Sequence, residues 1–256
     1  MAPARFVTLA CSCIALWWGS AAYAGQPLET ETARLPARGH GNLQLVFEYQ
    51  SSSAGKESAF PLAFEFGITD RLELAVEPVI YTSIRPRVGA RARGFGDTEV
   101  TLTYLLSREN TGMPALAIAA EVKIPTTRNP QIGTGGLDLR VVGIASKRFG
   151  RFDVHANLGY TFVGNYRGLR FGNVVDYALA AEYDVSGRLT LMTELLGTVA
   201  SGNESLAGPG QEAAGHSITG LVGAEYRPNR WLGLALGVTY DNNRAWLVRP
   251  AATIRF

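Results

Sequence analysis

The last twelve residues, Ala245 to Phe256, alternate apolar and polar side chains up to the terminal phenylalanine. In an extended chain successive side chains point to opposite faces. Trp246, Val248, Ala252, Ile254 and Phe256 therefore share one face, and Leu247, Arg249, Thr253 and Arg255 the other. A soluble strand makes this division over ~5–6 residues. A strand that crosses a bilayer, with lipid on one side and a wetter interior on the other, needs ~9–11. Segment length thus separates the two readings better than alternation does.

About twelve alternating segments follow one another, many roughly ten residues long, beginning near residues 41, 59, 71, 97, 114, 136, 151, 172, 187, 216, 231 and 245. Their phase is consistent. Leu43, Leu45, Phe47 and Tyr49 oppose Gln44, Glu48 and Gln50. Leu72, Leu74, Val76 and Ile80 oppose Glu73 and Glu77, and Val100, Leu102 and Tyr104 oppose Glu99, Thr101 and Thr103. Leu116, Ile118, Val122 and Ile124 oppose Glu121 and Lys123, and Phe152, Val154 and Leu158 oppose Asp153, His155 and Asn157. A cation turned to mid-bilayer costs ~2–4 kcal/mol, so this sorting is a constraint on the fold. Lys147 departs from it, near a strand end where its stem can snorkel. The expectation is an all-β, transmembrane, antiparallel up-and-down β-barrel of about twelve strands over residues 41–256. A soluble β-sandwich would have to bury these long apolar faces against each other. Pro78 and Pro250, inside expected strands, trouble every version.

Residues 1–24 carry one early cation, Arg5, an apolar stretch through Trp18, and then Ala22-Tyr23-Ala24, the small-x-small form of a signal peptidase site. They read as a signal peptide. A spanning helix would need a longer run than this one, which Ser12, Gly19 and Ser20 interrupt. The two cysteines, Cys11 and Cys13, both fall in this leader, so the chain beyond it holds no disulfide and no thiolate metal site. The formal charge of +2 gives no footprint for nucleic acid. Residues 25–40, with Pro27, Pro36 and little periodicity, form either a periplasmic tail or a plug folded into the barrel.

An even strand count with a periplasmic N-terminus makes the even connections tight and the odd ones long and extracellular. Tight turns centre on Thr69-Asp70-Arg71, Phe149-Gly150-Arg151, Asp184 to Gly187, and Pro228-Asn229-Arg230; looser loops span 82–96, 126–135, 165–171 and 199–215. The short Asp241 to Arg244 is the exception. Arg71, Arg151, Arg188 and Arg230 each follow a tight turn, a weak repeat that puts cations at the periplasmic interface.

Between residues 94 and 165, Gly94-Phe95-Gly96-Asp97-Thr98, Glu121 to Thr126, Ile132 to Gly135, Asp138, Ser146-Lys147 and Asn157-Leu158-Gly159-Tyr160 resemble the outer-membrane barrel family named for the MetA pathway of phenol degradation. The resemblance implies a barrel in the bacterial outer membrane and, loosely, passage of small aromatic or apolar compounds. It transfers no binding residue.

The inward phase collects the candidate lumen-lining residues Glu65, Glu73, Glu77, Glu99, Glu121, Lys123, Asp138, Arg140, His155, Asn157, Glu182, Glu194, Glu225 and Arg249, with Glu48 and Arg255 beside them. A carboxylate-rich interior favours cations or polar solutes over anions if it is open. Alternatively these groups pair across strands and fill a narrow barrel. Arg85, Arg87, Arg91 and Arg93 in one outer loop are candidates for lipopolysaccharide phosphates, or simply a solvated basic loop. His40, His155 and His216 make no spacing that identifies a nucleophile, base and orienting acid, and Gly133 to Gly136 lacks the helix of a nucleotide cradle. No catalytic, cofactor or metal residue is expected. The expected partners are outer-membrane lipid and lipopolysaccharide, the barrel-assembly machinery through the strand ending in Phe256, and a small solute. The functional expectation is a passive channel for small solutes, against a non-conducting structural or surface barrel and, further off, an outer-membrane lipid hydrolase.

Overall fold

A computed structural model describes residues 29–133, 135–164, 172–201 and 217–256. The expected leader with its two cysteines, residues 25–28, and His216 lie outside these, as do residues 165–171 and 202–215 of the two later outer loops.

The strands are β1 (Gly41–Val46), β2 (Glu48–Ser51), β3 (Gly55–Thr69), β4 (Leu72–Pro86), β5 (Ala92–Gly94), β6 (Thr98–Ser107) and β7 (Ala115–Ile124). There follow β8 (Asp138–Phe149), β9 (Phe152–Phe162), β10 (Asn173–Asp184), β11 (Leu189–Ser201), β12 (Ser217–Tyr226), β13 (Leu232–Asp241) and β14 (Trp246–Arg255). β1 and β2 are two halves of one wall strand, interrupted at Phe47, and β5 is a short edge that pairs only with the top of β4. The other strands pair antiparallel in chain order, and β14 returns to β1 and β2, with Asn42 opposite Arg255 and Tyr49 opposite Val248. The result is a closed barrel of twelve staves.

Polar side chains are inside and apolar ones outside. Glu65, Glu73, Thr103, His155, Glu225 and Thr253 are at most 2% exposed, whereas Leu158 and Val222 are 64% exposed. That inversion of a water-soluble core is what a lipid-facing wall requires. At the end bearing the tight turns, Gly150 and Gly187 adopt φ of 63° and 66°, left-handed values that a side chain would resist.

Eleven of the expected strand starts lie within two residues of the observed ones. The remaining strand, expected from residue 59, begins at Gly55, which makes the first outer connection short as well. The prolines sit where the ladder is already broken. Phe47 N donates to the Pro250 carbonyl at 3.1 Å, so the donor that Pro250 lacks would have faced the break between β1 and β2. Pro78 makes the last β4 to β6 pair, and Pro61 adjoins a register shift in β3. Lys147 does not reach for headgroups: its ammonium bonds the carbonyl of Asn110 at 2.6 Å and folds against the 108–114 connection.

Candidate functional site: the barrel interior and its N-terminal segment

Residues 29–35 run inside the barrel. Glu29, Thr30, Glu31, Thr32 and Ala33 are all buried. Such a segment has no strand partner, so its backbone must find side chains. The wall supplies them. Glu29 N donates to both oxygens of Glu194 at 3.1 and 3.0 Å, and Thr30 donates to the same carboxylate through both its N–H and its hydroxyl. The Asn157 amide imitates a strand neighbour: its carbonyl accepts Glu31 N–H at 2.6 Å and its NH2 donates to Glu31 O at 2.9 Å. Ala33 N donates to Ser146 Oγ at 2.8 Å.

Charge fixes the same segment at three heights. Arg249 Nη2 lies 2.6 Å from both Glu29 and Glu48. Arg140 reaches Glu31 and Asp176, each at 2.6 Å, and Glu121 at 3.1 Å. Nearer the tight-turn end, Arg34 forks onto Asp153 and meets Glu109 at 2.6 Å. Below it, Ala33 and Leu35 pack on an apolar patch of the interior wall, with Leu105, Ala117, Ala119, Val142 and Ile144. The chain leaves past Gly67, where any Cβ would strike the carbonyls of Pro36 and Ala37, and Gly39 N bonds Gly67 O at 2.9 Å before β1 starts. Burial pushes the Glu29 carboxyl up to about 7, with Glu194 and Glu48 adding to the shift and Arg249 opposing it.

The remaining candidates form separate groups. Lys123 pairs with Asp138, which also accepts Gly164 N–H at 2.7 Å. In strand register Lys123 faces Glu99, and Glu99 faces Glu77; Glu99 is half-buried and Glu77 buried. Glu65 accepts from Asn42 at 3.0 Å, with Glu73 buried nearby. His155 bridges Ser146, 2.8 Å from Nδ1, and Glu182, 3.2 Å from Nε2. That line has the residue types of a nucleophile, base and acid, but the Ser146 hydroxyl is already engaged by Ala33 N–H. Glu225 pairs with Arg255 at the tight-turn end. Arg85, Arg87, Arg91 and Arg93 are exposed at the opposite end, remote from the interior groups. Sequence reasoning named Ser146 only within the family resemblance, and it passed over Asp176, Glu109 and the segment's own Glu29 and Glu31. Asp176 alternates with the outward Tyr177, so its phase was readable; the others required knowing where residues 29–35 go.

A closed barrel with an apolar exterior, a charged interior and tight turns at the end bearing its C-terminus is an outer-membrane β-barrel. The chain belongs to the family described as "Putative MetA-pathway of phenol degradation", whose model matches residues 25–255. No curated protein matches it. Among solved structures, the COG4313 outer membrane channel from Pseudomonas putida F1 superposes with a TM-score of 0.69 at 14% identity, covering 87% of this chain and 97% of that one. The NanC porin gives 0.62 at 11% identity, over 84% and 100% of the two chains. The KdgM porin, solved with disordered oligogalacturonate, gives 0.56 at 12% identity, over 84% and 99%. At these identities the likeness is one of fold.

Proposed function

We propose that the protein is a passive outer-membrane channel for small solutes, aromatic and hydrophobic ones among them, with residues 25–40 as its plug. One observation carries the reading: the interior has room for a peptide segment and holds it through polar side chains. A wall lined by Glu194, Asn157, Ser146, Arg140 and Arg249 is already suited to hydrated or hydrogen-bonding cargo once the segment withdraws. The family's link to phenol degradation supports aromatic cargo. In this reading the lumen-lining residues are the inward groups named above. Arg85, Arg87, Arg91 and Arg93 engage lipopolysaccharide phosphates, and the strand ending in Phe256 addresses the assembly machinery.

The test is single-channel conductance of refolded protein in planar bilayers, with and without residues 26–39, and with phenol added. Rare small openings in the intact chain and large, phenol-blocked openings in the deletion support the reading. The competing reading, a closed barrel with a structural role, is favoured by the ion pairs that hold Glu29, Glu31 and Arg34 to the wall. It predicts that the deletion stays silent while still folding.

A further inference from the structure

Two cations of the weak Arg repeat come together at one place. Arg188, just before β11, and Arg230, just before β13, line a cavity of about 370 Å³ with Arg227 and Arg255, over the turn residues Gly187 and Asn229. Arg71 and Arg151, the other members of the repeat, are not part of it. The cavity opens at the tight-turn end, which in an outer-membrane barrel is the periplasmic end.

Two of the four guanidiniums are held in position. Arg255 is paired to Glu225, a carboxylate 1% exposed on the interior face of β12. Arg227 Nη2 donates to Thr190 Oγ1 at 3.1 Å, and its Nε stands 3.7 Å from the same Glu225. Arg188 and Arg230 are exposed and, among the described residues, have no carboxylate partner. Asp184, the nearest acid along the turn, is occupied in accepting Gly187 N–H at 2.5 Å. Two of the four guanidiniums thus share one buried carboxylate and the other two, among the described residues, have none, which leaves excess positive charge in a concave site at the tight-turn end of the barrel.

We propose that this cavity is a binding site for a small oxyanion, a carboxylate or a phosphate. Guanidinium forks match the paired oxygens of both, and charge-assisted bonds of this kind are the stronger hydrogen bonds. The volume lies at the small end of ligand pockets, ~300–1,000 Å³, larger than one ion needs and fit for a monocyclic carboxylate. Glu225 and Thr190 hold Arg255 and Arg227 on the interior side of the mouth, which favours a soluble anion over a lipid headgroup. The site does not depend on whether the barrel conducts.

The test is calorimetric titration of the full-length, refolded protein with inorganic phosphate and with benzoate, against the R188Q/R230Q double variant. Both substitutions are on exposed turns, and heat-modifiable migration on gels checks that the variant folds. Saturable one-site binding that weakens with salt and falls roughly tenfold or more in the variant supports the site. Binding that never saturates, or that the variant retains unchanged, overturns it. Repeating the titration in nanodiscs separates the sources of the ligand: if phosphatidylglycerol blocks phosphate binding where phosphatidylcholine does not, a headgroup fills the same site. If neither lipid blocks it, the ligand is a free oxyanion.

Discussion

The guanidinium of Arg249, in the closing strand, lies 2.6 Å from the carboxylate of Glu29, in the segment the barrel encloses. The same Nη2 is 2.6 Å from Glu48 in the first wall strand. One side chain therefore joins the seam of the barrel to its contents. Arg249→Gln leaves Glu29 and Glu48 buried without their cation, and removing one partner of a buried pair costs ~3–5 kcal/mol. The denaturant midpoint should fall, and amide exchange at residues 29–33 should accelerate more than exchange in β6 to β8. Uniform acceleration over the whole barrel would contradict the local role of the contact.

The Glu29 carboxyl supplies a pH dependence. Its pKa in the seated segment is about 7, raised from 4.5, so between these values the seated state binds more protons than a released, solvated one. The contribution of this carboxyl to the seated state is therefore full below about pH 4.5 and is lost as the pH rises through about 7. Arg249, Glu194 and Glu48 are the charges facing this group. Amides 29–33 should be better protected at pH 5 than at pH 8, after correction for intrinsic exchange rates, and Glu29→Gln should remove most of that difference. Equal protection at both pH values would refute the assignment.

Gly159 offers a probe of the Arg140 cluster. A Cβ there would collide with the Asp176 carboxylate, which Arg140 holds at 2.6 Å. Gly159→Ala should destabilise by ~1–3 kcal/mol through this overpacking. Adding Asp176→Ala, which removes the clashing group, should make the second step cost less than Asp176→Ala does in the wild type. A double-mutant cycle measures the difference, and strict additivity would contradict the contact.

On the outer wall, Leu236 is half exposed near the middle of β13. Leu236→Arg should cost ~2–4 kcal/mol in a bilayer and much less in a detergent that allows the cation to reach water. Similar losses in both media would argue against a lipid-facing position.

Phe256 closes the last ladder position, exchanging two 3.0 Å backbone bonds with Gly41. Its ring is half exposed. Deleting Phe256 should lower the fraction of protein assembled in cells several-fold while leaving refolding into detergent nearly intact. Equal losses in both would assign the residue to stability and not to assembly.

The wall was legible because alternation is local: the phase of Leu72, Glu73 and Leu74 can be read without knowing any neighbour. The prolines were not, because their tolerance depends on what stands opposite. Pro250 fits only because Phe47 interrupts the adjoining strand. The interior was legible as an inventory and not as an arrangement. Arg140 and Glu121 were visible as inward charges, but Glu29 meets Glu194 across 165 residues of chain, and no periodicity encodes that meeting. The choice between tail and plug for residues 25–40 was open for the same reason, since a segment without a repeat carries no signal of where it docks.

Among the described residues of the enclosed segment, Ala37 to His40 are the ones open to water, and they lie beside the turn at Asp70. Glu29 to Ala33 are sealed behind them. As the proposed plug, the segment is a drawer whose handle is on the cell's own side of the membrane. In the plug reading proposed above, whatever pulls or modifies that handle acts from the periplasm.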